Sequence, residues 1–444
     1  MNVSPKGWLG SARRRGAQAL AAGVGASLLA VLVSGWTGAP NAEDEGGGEP
    51  VCPYRLATVG LPVAQPVEAI PSDGVEALIT AGALPPGVAV SRTERGLEFI
   101  GVPTDAGAFD FSISLDRPTD ADHAQEARCL VDVVPRPTVT RLAGADRYES
   151  SARVARAVAP ATTPLAYIAS GEGFADALST TAVAAVRKAP LLLTTSTSVP
   201  TAVLDQLGVQ RPSTIVIVGG ENSVRPAVAA QLAALPWRPS VRRITGADRF
   251  DVSRALLRDN TVGLPPSTSP RLYLASGSAF PDALSASVPA AVQGTGVLLV
   301  DGTASRTDPE DLELFQALGV TELRLVGGPA SISDDLHEDL SHRVAVAQRT
   351  GGVDRYAVSR RINQRTFPRT TPQSQVFLAS GANFPDALTG GVLAGARRAP
   401  LFLVRDCLDR EVALHLGALA PSEITLLGGP LSLPRSVEEL TICS

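Results

Sequence analysis

The chain has 444 residues, 44% of them hydrophobic and 19% charged, with a formal net charge of −5. That length exceeds one ordinary domain, and the composition excludes a chain too polar and too highly charged to bury a core. Lys6, Arg13, Arg14 and Arg15 are the only charges in the first 42 residues, so the remainder is more acidic than the whole. This argues against non-specific nucleic-acid binding, which depends on lysine and arginine neutralising phosphates.

Arg13 to Arg15, followed by the uncharged and largely apolar run Ala17 to Val33, have the charged and apolar regions of a secretory signal, expected over 1–42. The run is short and interrupted by glycine for a span of about 20 residues, so no membrane span is expected after cleavage. Glu49, Pro50 and Val51 ahead of Cys52 do not form a lipobox, and 43–50 is acidic and glycine-rich, as a solvated linker is. Four cysteines in an exported chain read as two disulfides. Cys52 with Cys129 and Cys407 with Cys443 is the one connectivity that keeps each bridge inside a domain.

From 51 to 136 the chain alternates apolar and polar residues between proline and glycine punctuation, as in Phe109, Phe111, Ile113 and Leu115 with Asp110, Ser112 and Ser114 between them. Period two with frequent turns predicts an antiparallel β-sandwich. The runs Leu84-Pro-Pro-Gly87 and Gly101-Val-Pro-Thr104, with Ala106 to Phe109 following, resemble the immunoglobulin-like domains of bacterial surface proteins. The resemblance implies a spacer or adhesion domain.

Beyond Pro137 the sequence repeats at a spacing of roughly 100 residues, giving units over 138–240, 241–346 and 347–444. Arg141-Leu-Ala-Gly-Ala-Asp146-Arg147-Tyr148 returns as Arg243 to Phe250 and as Arg349 to Tyr356. Ala169-Ser-Gly171 with Phe174-Ala-Asp176-Ala-Leu178 recurs at 275–284 and 379–388. Val218-Gly-Gly220, Val326-Gly-Gly328 and Leu427-Gly-Gly429 close the units. In the first unit Ala166 to Ala169, Leu191 to Thr194 and Ile215 to Val218 are short buried-type runs separated by helical patterns such as Ala175 to Arg187. Strands joined by helices predict α/β units with parallel sheets covered on both faces, whose carboxyl-end loops face a ligand. The Ser-Gly and Gly-Gly blocks fall at those ends.

These ordered blocks resemble the cell wall binding repeat 2 modules of wall-associated proteins in Gram-positive bacteria. The resemblance covers about 300 residues. It implies three Rossmann-like modules about a pseudo-threefold axis, and non-covalent anchoring at the cell surface to an anionic secondary wall polymer or a peptidoglycan-linked glycan. The family's P-x-L-L strand, implicated in that binding, stands here as Pro190-Leu-Leu192-Leu and Pro400-Leu-Phe402-Leu. The second unit has Gly296-Val-Leu-Leu299 instead, which predicts unequal sites.

Asp146, Asp248 and Asp354 precede an arginine and an aromatic where helices should start, and read as N-caps. The neighbouring Arg147, Arg249 and Arg355 suit either acids of an adjacent unit or the polymer's phosphates and carboxylates. Asp176, Asp282 and Asp386 follow a Ser-Gly turn, and suit either hydroxyl or metal recognition or helix capping and packing between units. Enzyme motifs fail: His337 and His342 are five apart, about 140° around a helix, where the zinc motif sets four. No cofactor, metal or catalytic residue is expected, and a wall-glycan-modifying enzyme working through the three aspartates is the alternative reading.

Overall fold

The computed structural model describes residues 50–67, 75–116, 126–266 and 269–443. The expected signal segment, and all of the linker but Pro50, lie outside the described residues. Among those described, the N-terminal part has strands β1 (Leu56–Thr58), β2 (Val63–Pro66), β3 (Glu76–Gly82), β4 (Val88–Thr93), β5 (Gly96–Gly101), β6 (Gly107–Asp116) and β7 (Glu126–Val134). They form a sheet of order β1-β7-β6-β3 and a second of order β2-β5-β4. All pairings are antiparallel except β1 with β7. Alternation explains β6: Phe111, Ile113 and Leu115 are buried while Asp110 is exposed. Phe111 meets Phe99 of β5 edge to face, joining both sheets in one core. Cys52 is bridged to Cys129 of β7, and Cys407 to Cys443.

The first repeat runs through β8 (Thr138–Leu142), α1 (Arg147–Val158), β9 (Leu165–Ser170), α2 (Leu178–Arg187), β10 (Leu191–Thr194), α3 (Thr201–Gln210), β11 (Thr214–Val218) and α4 (Pro226–Ala233). The second follows with β12 (Ser240–Ile244), α5 (Arg249–Arg258), β13 (Arg271–Ser276), α6 (Phe280–Val292), β14 (Val297–Val300), α7 (Pro309–Leu318), β15 (Glu322–Val326) and α8 (Asp334–Ser341). The third comprises β16 (Val346–Thr350), α9 (Arg355–Thr366), β17 (Gln375–Ser380), α10 (Pro385–Arg397), β18 (Leu401–Val404), α11 (Arg410–Leu419), β19 (Glu423–Leu427) and α12 (Arg435–Glu438). The predicted strands are present. The helix expected from Ala175 begins instead at Leu178, because 174–177 forms the turn that carries Asp176.

Each repeat contributes to a four-stranded parallel sheet, of orders β10-β9-β11-β12, β14-β13-β15-β16 and β18-β17-β19-β8. The strand that opens one repeat in sequence therefore completes the sheet of the preceding repeat. The first repeat's β8 closes the circuit on β19 of the third, in register from Thr138 opposite Glu423 to Leu142 opposite Leu427. Strands such as Leu191–Thr194 and Val297–Val300 are buried at every residue, as parallel strands covered on both faces are.

Helices α2, α6 and α10, one from each repeat, pack against one another. Small side chains permit this approach. A Cβ on Gly395 would lie 2.8 Å from that of Ala185 and 2.9 Å from that of Ala291, and Thr181 Oγ1 donates to the Leu388 carbonyl at 3.2 Å.

Helix α11 is buried from Val412 to Leu419 because it is covered twice. One face meets its own repeat and the other meets β1 and β2 of the N-terminal part. Thr58 Oγ1 donates to the Gly417 carbonyl at 2.8 Å, Leu61 joins the core of the repeats, and a Cβ on Gly417 would sit 3.1 Å from the Pro62 carbonyl oxygen. Arg136 Nη2 donates to the Glu439 carbonyl at 2.6 Å. The N-terminal β region is docked on the third repeat.

Two outcomes follow. Gly395→Leu would overpack the helix trio and lower stability by about 3 kcal/mol in chemical denaturation. His415, on α11, is fully buried with Nε2 2.9 Å from the Phe367 carbonyl oxygen, and burial holds its pKa down at about 4. The unfolded imidazole takes a proton near 6.5 while the folded one waits until about 4, so acid favours unfolding between those values. Stability is whole above pH ~6.5 and falls by roughly 3 kcal/mol towards pH 4. Denaturation midpoints of His415→Gln should lack this share of the acid loss across that interval.

Candidate functional site

The repeated blocks meet at the carboxyl ends of the parallel strands, and both arginines of each opening block are used there. The first reaches back to the preceding repeat: Arg243 Nη1 donates to the Gly219 carbonyl at 2.8 Å, and Arg141 Nη1 to that of Gly428 at 2.8 Å. Arg349 Nη1 donates to the Ile332 carbonyl at 2.6 Å and reaches that of Gly327 at 3.5 Å. The second holds its own Ser-Gly turn: Arg147, Arg249 and Arg355 donate to the carbonyls of Gly171, Gly277 and Gly381 at 2.6, 2.7 and 2.7 Å. Each of these three guanidinium groups also lies over a phenylalanine of the preceding repeat, Arg249 over Phe174, Arg355 over Phe280 and Arg147 over Phe384. Such stacking contributes about 0.5–1 kcal/mol at partly exposed sites.

Phe174, Phe280 and Phe384 in turn touch one another, with centroids 5.7, 5.9 and 6.1 Å apart. The charges of Arg147 and Arg355 act on Asp386 and Asp282 of the preceding repeats, and Arg147 also borders a solvent-facing cavity, while the closest contacts of all three arginines, Arg249 included, are with backbone and rings. They tie a backbone turn to a neighbour's ring. The aromatic after each arginine explains the glycine of the Ala-Ser-Gly block, since a Cβ at Gly171, Gly277 or Gly381 would lie 2.8, 2.6 or 2.5 Å from Tyr148, Phe250 or Tyr356.

Asp146, Asp248 and Asp354 are N-caps: the first accepts from Tyr148 and Glu149 N–H, the second from Phe250 and Asp251, the third from Ala357. Asp176, Asp282 and Asp386 cap no helix. Asp176 accepts from Ser223 Oγ at 2.5 Å and Asp386 from Ser432 Oγ at 3.2 Å, while Ser331 bonds Asp282. Each carboxylate lies against the first glycine of its Gly-Gly turn, where a Cβ would approach within 2.5 to 2.6 Å. Gly219, Gly327 and Gly428 also have positive φ, so these positions need glycine twice over. Burial pushes the Asp282 and Asp386 carboxyls above the ordinary value, against the serine hydroxyls and the charges of Arg355 and Arg147 that favour the ionised form.

The Pro-x-Leu-Leu strands lie inside. Leu192 and Phe402 are at 0% exposure, with Phe402 edge-on to His415, and Pro190 and Pro400 are buried. Of the residues carried over as ligand contacts, these four present no side chain to a polymer in this structure; they pack the core beneath the turns. What does face solvent is a cavity of about 440 Å³ between the first and third repeats. Asp146, Arg147 and Ser150 line one side, Asn383, Asp386 and Ser432 the other, with fully exposed Leu431 at its lip. A smaller one of about 230 Å³ in the first repeat is lined by Glu172, Asp176, Asn222 and Ser223. Among the described residues no group of three His, Cys, Asp or Glu side chains is placed to hold a metal, and no helix is long and apolar enough to cross a membrane.

Known proteins match this arrangement. The cell wall binding domain 2 (CWB2) family matches residues 141–229, 243–337 and 349–438. N-acetylmuramoyl-L-alanine amidase LytC of Bacillus subtilis is 26% identical over 301 residues, covering 68% of this chain and 57% of its own. The amidase enhancer of the same organism is 24% identical over 60% of this chain and 34% of its own, so the chain spans about half or less of each. Among solved structures, Cwp6 from Clostridium difficile has a TM-score of 0.62 at 19% identity, covering 87% of this chain and 67% of that one. Cwp8 from the same organism has 0.59 at 20%, covering 76% and 59%. These show a shared fold.

The clamp can be tested directly. Arg249→Ala should cost about 2 kcal/mol of stability in denaturant titrations, and Arg249→Lys should recover only part, because an ammonium lacks the planar fork. Wild-type stability in the alanine variant would remove the clamp from this account.

Proposed function

Because the chain belongs to the cell wall binding domain 2 family, we propose that its three repeats, as Rossmann-like modules about a pseudo-threefold axis, anchor it non-covalently to an anionic polymer of a Gram-positive cell wall. The observation that carries the reading is the cavity between the first and third repeats, where Arg147, Asp386, Asn383 and two serines converge. Hydroxyl-rich and charged polymer units suit such a lining, because carboxylate and serine accept and donate to hydroxyls while guanidinium favours anions. The equivalent junctions differ in detail: Ser150 has Val252 and Val358 as counterparts. Unequal sites follow from this as well as from Gly296. The N-terminal part, immunoglobulin-like in this reading, rides on the third repeat as a docked domain, after export and removal of residues 1–42.

The names of two relatives, an amidase and an amidase enhancer, make a wall-modifying enzyme the second reading. Against it stands the use of Asp176, Asp282 and Asp386, each engaged by a serine of its own repeat beside a glycine turn.

Purified mature protein should sediment with isolated native walls at low salt and be released as salt rises, since screening weakens exposed charge pairing. Protein remaining in the supernatant at low salt would sink the anchoring reading. Release of soluble wall fragments in the same tubes, lost in Asp386→Asn, would favour the enzyme.

A further inference from the structure

The three repeats differ at one position in a way that exposes a pair of donors. In the first repeat, Glu149 lies one residue beyond the opening block and accepts from the Ala145 N–H at 2.7 Å. Its other oxygen accepts from Arg153 Nε at 3.0 Å and Nη2 at 2.6 Å, while Arg153 Nη1 donates to the Ala143 carbonyl at 2.7 Å. In the second repeat Asp251 takes the same place, accepting from the Ala247 N–H at 3.0 Å and from Arg254. In the third repeat that position is Ala357. The donors around it persist. Val353 supplies the N–H equivalent to Ala145, and Arg361, the counterpart of Arg153, donates through Nη1 to the Gly351 carbonyl at 2.8 Å. The same backbone anchor thus holds Arg361 as it holds Arg153, and among the described residues no side-chain carboxylate pairs with its remaining Nε and Nη2 edge.

We propose that the third repeat binds an external anion, a phosphate or carboxylate group of the wall polymer, where the first two repeats hold a carboxylate of their own. The surroundings favour it. Helix α9 carries Arg360, Arg361 and Arg365 and no acid, whereas Asp251 on α5 pairs with Arg254, which also meets Glu310 and Asp311 of α7. Arg365 is fixed by Thr350 Oγ1 at 2.8 Å and Arg360 reaches Gln364. The nearest acid in sequence, Asp354, is neutralised by Arg405 at 2.6 Å, and its equivalents Asp146 and Asp248 coexist with Glu149 and Asp251. Val353, at 95% exposure, marks the loop as open to solvent. A planar guanidinium edge plus a backbone N–H fits a tetrahedral phosphate or a planar carboxylate. The polymer as the source of that anion rests on the anchoring reading; the site itself does not.

The test is Ala357→Glu, which installs the first repeat's own solution and should leave the fold intact, with Arg361→Gln as the partner variant. At constant ionic strength, inorganic phosphate and glucuronate, titrated separately, should raise the thermal midpoint of the wild-type full chain and leave both variants unmoved. The more effective anion identifies the polymer's chemistry. Retention on isolated walls should weaken about tenfold in both variants, as for the loss of charge-assisted hydrogen bonds. Variants that respond to both anions and bind walls as wild type does would overturn the site and leave anchoring standing. A wild-type chain protected by phosphate, with unresponsive variants but no wall binding, would support the site and overturn anchoring. No protection of the wild type by either anion overturns the site.

Discussion

Everything in the repeat region depends on the exchange of one strand. A three-stranded parallel sheet built from a single repeat would leave a long edge, and here that edge is covered by the opening strand of the next repeat. The same strand carries the first clamp arginine, so the hydrogen-bonded ladder and the Arg–carbonyl bond act across the same junction. The next residues start the helix whose second arginine lies over the neighbour's phenylalanine. Covering a sheet edge, satisfying a turn carbonyl and stacking on a ring are separate terms, each modest. They are linked through one short segment, which makes the repeats interdependent.

Much of this was legible in the sequence. The strand runs, the alternation of β6 and both disulfide pairings follow from buried-type runs, period two and cysteine placement, and all appear. The N-capping aspartates were legible because a cap has a local signature. The arginines were not, because their partners are backbone carbonyls, and a carbonyl leaves no mark on the sequence. Arg141, Arg243 and Arg349 recur in the opening block, yet nothing in their type or spacing says that they reach the preceding repeat. Phe174, Phe280 and Phe384 recur equally visibly, but their mutual contact depends on three segments far apart in the chain. The Pro-x-Leu-Leu strands read as ligand contacts only through family resemblance; their apolar character already pointed to the core where Leu192 and Phe402 lie.

Divergence among the repeats is concentrated outside this framework. The clamp arginines, turn glycines and central phenylalanines are kept three times over, while outer helix faces drift from mixed in α1, to acid-rich around α5 and α7, to wholly basic in α9. Structural positions are held by contacts that a different side chain would break. Outer positions are free to acquire different charges, and a scaffold of three repeats thereby offers three chemically distinct surfaces. The docked β region adds a further asymmetry: Gly417 of α11 lies against Pro62 and the turn after β1, whereas Gly208, at the same position of α3, has nothing within 4 Å.

The closing strand also sets an order of events. β8 is the first element made in the repeat region and its partner β19 is nearly the last, with Thr140 and Thr425 separated by 285 positions. The first sheet can complete itself once β12 is present, but the ring stays open until the C-terminal segment arrives. The pairing of β8 therefore waits until β19 has been made, and loop-closure entropy favours the nearer pairings before it.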